Sequence, residues 1–104
     1  MRAKIHWKTA DEGGRSKPPA PAEWWETPYN PAIRLHDPTE PWPSQEVTWT
    51  VFVRQLAAGS SEREWIADVR YAMPEAPRHE LRAGRRFELY EGPHCVATGV
   101  LLEE

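Results

Sequence analysis

A chain of 104 residues with a formal charge of −3 has room for one hydrophobic core and no global basic field that would draw in nucleic acid. Its single cysteine, Cys95, excludes an intramolecular disulfide and therefore a fold that depends on an oxidising compartment. Six tryptophans and eleven prolines are many for this length, and their uneven spacing divides the chain.

Arg2 to Lys8 alternates polar residues with Ala3, Ile5 and Trp7, the period of a strand with one buried face. No apolar run here is long enough for a signal peptide or a membrane span, so a cytoplasmic location is expected. Asp11-Glu12-Gly13-Gly14-Arg15 ends the strand as a turn in which glycine supplies positive φ and Arg15 projects beyond it. Eight of the prolines then fall between Lys17 and Pro43, which forbids helix and central strand alike, because proline lacks a donor and fixes φ. A Pro/Trp-rich insertion over about 16–45 is the expected result, broken by a short strand near Ala32 to Leu35.

From Val47 to Leu56 the chain again alternates and is rich in β-branched and aromatic residues, so a strand is predicted. Ala57 to Ser61 reads as a small-residue loop, and Glu64 to Tyr71 as a strand pairing antiparallel with the one before. Pro74-Glu75-Ala76-Pro77 breaks the pattern. Gly84 to Val100 then forms a terminal hairpin: Phe87 and Leu89 share the core face, Glu91-Gly92 reverses the chain, and Gly99 marks a bulge or barrel corner. No repeat and no long 3.6-residue period is present, so the chain reads as one all-β domain of about five to seven strands closing into a barrel or sandwich.

Three motifs in order carry a family resemblance: Glu12-Gly13-Gly14-Arg15, Tyr29-x-Pro31, and Gly84-x-Arg86-Phe87-x-Leu89-x-Glu91-Gly92-x-x-x-Val96-x-x-Gly99-Val100. Together they resemble the third, C-terminal domain of elongation factor Tu and span nearly the whole chain, 1–104. The resemblance implies a small antiparallel closed β-barrel of about six strands. It also implies that Arg15, Glu91 and Gly92 lie on the side that in the family meets aminoacyl-tRNA. The chain departs from the family at Tyr90, Pro93 and His94, where residues able to pair with phosphates are replaced. Gly13-Gly14-Arg15-Ser16-Lys17 is not a phosphate loop, because the lysine and hydroxyl are out of place and no helix follows.

No acid, base and nucleophile converge in the pattern, and His94 and Cys95, adjacent on a strand, point to opposite faces. His6, His36 and His79 lack ligand spacing, so neither a metal nor a cofactor is expected. The chain reads instead as a non-catalytic binding module, monomeric or homodimeric, for a protein partner. Trp24, Trp25 and Trp42 are its candidate anchors. The alternative is an RNA- or tRNA-binding module linked to translation, with Arg15, Glu91 and Gly92 as contacts and Arg85 and Arg86 as added phosphate partners.

Overall fold

In the computed structural model the described residues are 1–19, 26, 29–36, 49–76 and 81–103. Six strands are assigned: β1 (Arg2–Trp7), β2 (Ala32–Leu35), β3 (Trp49–Ala58), β4 (Glu64–Tyr71), β5 (Arg86–Glu91) and β6 (His94–Leu101). They form a closed antiparallel barrel in the order β1-β4-β3-β2-β5-β6. Closure comes from β1, which pairs with β4 from Arg2↔Asp68 to His6↔Glu64 and with β6 from Ala3↔Leu101 to Trp7↔Ala97. No strand of the ring is left with an open edge, which removes the row of unpaired backbone groups that an open sheet presents.

The alternation read from β1 is kept: Ala3, Ile5 and Trp7 are buried while Arg2, Lys4 and His6 are exposed. Ile33, Val51, Val53, Trp65, Ala67, Val69, Phe87, Leu89 and Leu101 complete the interior. Trp7 lies edge-on to Trp65 at 5.0 Å and to Tyr29 at 5.4 Å, so three large rings fill one end of the barrel in the geometry that aromatic quadrupoles favour.

Two local readings change. Ala57 and Ala58 continue β3 and do not begin the loop, because a register shift between Gln55 and Ala57 lets the strand pair onward to Trp65 and Ile66. The bulge of the terminal hairpin lies at Val96, where Leu89 pairs with Ala97 and Tyr90 with Cys95. Gly99 instead leaves room for a ring. A Cβ there would stand 2.3 Å from Phe87 Cζ, and Phe87 is 1 % exposed.

Val47 and Thr48, the predicted start of β3, lie outside the described residues. So do Trp24, Trp25, Trp42, Arg78 and His79.

Gly99→Ala is expected to destabilise the protein by about 2 kcal/mol, since the added methyl overpacks a buried contact. Phe87→Leu in the same chain should recover part of that loss. Urea unfolding of the two single variants and the double variant measures it, and strictly additive losses would show that the two residues do not compete for one space.

Candidate functional site

The end of the barrel where β1 stops and β6 begins gathers most of the residues singled out by the family resemblance. Past Trp7, the Lys8 amide donates to the Val96 carbonyl at 2.8 Å, and Thr9 caps a 3₁₀ turn at Ala10–Glu12. Thr9 Oγ1 accepts from the Glu12 amide while the Glu12 carboxylate accepts from the Thr9 amide, a reciprocal capping box. Gly13 closes the turn at φ 89°. Gly14 follows with its Cα pressed so close to Lys8 that a Cβ would stand 2.4 Å from the Lys8 carbonyl oxygen. The glycine pair thus serves two needs, positive φ at the first and a close approach at the second.

Arg15 leaves this turn across the face of Tyr29, with its guanidinium 5.4 Å from the ring centroid, and its Nη1 donates to Glu91 Oε2 at 2.5 Å. The Tyr29 hydroxyl donates to the same carboxylate oxygen. Arg15, Tyr29 and Glu91 therefore form a knot that ties the Gly-Gly-Arg turn, the strand-like residues before β2 and the tip of the β5–β6 hairpin. Tyr29 is its hub: its carbonyl accepts from the Val53 amide at 2.9 Å and its ring rests on the Trp7 ring within the barrel.

Burial pushes the Tyr29 hydroxyl well above its ordinary pKa, and the neighbouring Glu91 carboxylate adds to the shift. Burial also pushes Glu91 up, but the hydrogen bonds from Tyr29 and Arg15 outweigh it and hold the carboxyl below the usual range. For Arg15, desolvation disfavours the charge while the bond to Glu91 favours it more, with a net upward shift.

A second clamp sits beside the first. Arg63, in the loop between β3 and β4, donates Nη1 to the carbonyls of Lys8 and Arg15, each at 3.1 Å, and Nη2 to that of Ser16 at 2.7 Å.

Of the candidate RNA contacts, Arg15 and Glu91 are brought together by their ion pair, and Gly92 lies next to them in the turn at φ 58°. Arg85 and Arg86 are at the opposite end of β5, roughly 17 Å away at the rise of an extended strand. Arg85 Nη2 and Nε donate to the His36 carbonyl at 2.8 and 3.3 Å, whereas Arg86 is exposed. The five residues therefore form two clusters and no single patch. The tryptophan candidates cannot be joined to either cluster, since they lie outside the described residues.

Sequence reasoning missed Tyr29 as a hub, Arg63 as a clamp and Glu88 as a buried carboxylate. Only Tyr29 carried a signal, the Tyr-x-Pro spacing before β2. Arg63 reaches partners 47 to 55 positions away, which no local pattern encodes. Glu88 alternates with Phe87 and Leu89 and so reads as solvent-facing, yet it is only 8 % exposed, with Tyr90 and Cys95 donating to its two oxygens.

The Cys95 thiol is partly buried, and burial together with the Glu88 carboxylate raises its pKa and keeps it protonated. No group of three or more His, Cys, Asp or Glu suited to a metal ion is present among the described residues. Among the same residues no helix is long and apolar enough to cross a membrane. Comparison with protein-family models, with characterised proteins and with solved structures finds no match.

Because Glu91 titrates lower in the folded chain than in the unfolded one, its stabilisation is complete above the unfolded value of about 4.3 and disappears as pH falls through the folded value. Glu91→Gln is expected to remove about 1 kcal/mol at neutral pH, a modest figure because both partners are about a third exposed. The same variant should flatten the acid limb of a stability-against-pH curve, read by chemical denaturation at successive pH values. An unchanged limb would mean that the knot contributes nothing in solution.

Proposed function

We propose that the chain is a non-catalytic binding module of the elongation factor Tu third-domain kind that acts on a protein partner. Trp24, Trp25 and Trp42 are its apolar anchors. The family assignment is supported by the ordered motifs together with a closed six-stranded antiparallel barrel. The preference for protein over RNA is supported by one observation above the rest: the Arg15 guanidinium is already engaged by Glu91 and Tyr29.

A phosphate arriving at this end would have to displace the Glu91 carboxylate from an established ion pair, and the Glu91 charge would repel it. Arg85 is likewise turned to the His36 carbonyl. A non-catalytic role is supported by the state of Cys95, whose raised pKa favours the thiol over the nucleophilic thiolate.

The anchors fall in two separate stretches of the sequence: Trp24 and Trp25 precede Tyr29, which belongs to the knot, and Trp42 follows His36, whose carbonyl accepts from Arg85 at the other end of β5. Single substitutions therefore distinguish a partner that uses one stretch from a partner that uses both.

The test is affinity capture from cell lysate with and without nuclease, at low and moderate salt, using the native chain, Trp24→Ala, Trp42→Ala and Arg86→Glu. Arg86 is chosen because it is exposed, so its charge can be reversed without breaking the knot. The expected result is a protein that is retained through nuclease and salt and lost at least about tenfold on Trp24→Ala. Material lost on nuclease treatment, with steep salt dependence and sensitivity to Arg86→Glu, would transfer the function to RNA.

A further inference from the structure

Glu88 is the one charged side chain among the described residues that is buried, at 8 % exposure. It lies at mid-strand on the outer face of β5, opposite Arg34 of β2 on one side and Thr98 of β6 on the other. Tyr90 Oη donates to its Oε1 at 3.0 Å and Cys95 Sγ to its Oε2 at 3.4 Å. Both donors are neutral: the Tyr90 hydroxyl is pushed up to about 12, by burial first and then by Glu88 itself, and the thiol is raised for the same two reasons.

No cation pairs with Glu88 among the described residues. Arg34 stacks instead on the Tyr90 ring, 5.0 Å from its centroid, and its buried Nε has no hydrogen-bond partner. A carboxylate has about four acceptor positions, and two are used here. A buried charge without a counter-ion carries a desolvation penalty that a bound cation would offset.

Glu88 opens on a groove of about 600 Å³ across the outer faces of β5, β6 and β1. Two residues along β5, roughly 7 Å away on the same face, stands Arg86. Arg86 and Lys4 flank Val100 from either side, each in direct register with it. Lys4 leans on Glu64 at 3.5 Å, while the exposed Arg86 guanidinium makes no hydrogen bond or ion pair among the described residues. The groove thus offers a buried anion with the Thr98 hydroxyl beside it at one end, and at the other the Arg86 and Lys4 cations on either side of the apolar Val100.

We propose that this groove binds a small zwitterion of the aminocarboxylate class, with its ammonium on Glu88, its carboxylate on Arg86 and Lys4, and its methylene chain over Val100. A simple amine would satisfy Glu88 and leave the cationic end unmatched, and a simple carboxylate would meet Arg86 while facing an unneutralised Glu88. Both charges on one ligand, set several ångströms apart, match both ends. The proposal does not rest on the protein-partner reading and is decided in the purified chain alone.

Isothermal titration with γ-aminobutyrate and ε-aminohexanoate, with butylamine and butyrate as single-charge controls, tests it. At least one zwitterion should bind saturably and about tenfold more tightly than either control, and Glu88→Gln and Arg86→Ala should each weaken it about tenfold or more. Arg86 is exposed and unbonded, so its variant keeps the experiment decisive even where Glu88→Gln unfolds. Absence of saturable binding by either zwitterion, butylamine binding as tightly as the zwitterion, or unchanged affinity in Arg86→Ala would each overturn the proposal.

Discussion

Everything else in this small protein depends on β1 having two partners. Its six residues hydrogen-bond to β4 on one side and β6 on the other, and that double pairing joins the two ends of the chain into one wall. With the ring closed, one side of each strand faces a common interior, so Trp7, Phe87 and Leu89 belong to one core. Closure also brings the Gly-Gly-Arg turn after β1 alongside the hairpin tip before β6. Glu91 and Arg15, 76 positions apart in sequence, become neighbours as a geometric result of that pairing.

The interior and the exterior obey different rules for charge. Inside, the described core residues are aliphatic and aromatic, none of them charged. Outside, polar and charged residues line up around the girth: Arg34, Glu88, Thr98, His6 and Glu64 follow one another across five strands by direct register. Such a row is a consequence of antiparallel pairing, which sets residues from distant parts of the sequence face to face. Polar chemistry on this protein is therefore assembled by register and not by local motif.

That distinction explains what could be read in the chain. Strands with one buried face, such as Arg2–Trp7 and Glu64–Tyr71, announce themselves because burial imposes a period of two. The extension of β3 through Ala58 did not, since Leu56 breaks the alternation where the register shifts. Gly99 was visible as unusual, but its reason was not, because the Phe87 ring that needs the space is contributed by the neighbouring strand. The Gly-Gly-Arg turn and the Glu-Gly reversal were legible one at a time. Their meeting at Tyr29, the reach of Arg63 and the hydrogen bond from Cys95 to Glu88 depend on pairings that no local spacing encodes.

The Arg63 clamp has a thermodynamic side. A single guanidinium holds the carbonyls of Lys8, Arg15 and Ser16 from a loop that belongs to the β3–β4 hairpin, so that loop and the turn after β1 are tied at three points. Ordering either one orders the other, and the loss of conformational entropy is incurred once for both. Two segments some fifty positions apart in sequence are thus held together by the side chain of a single residue.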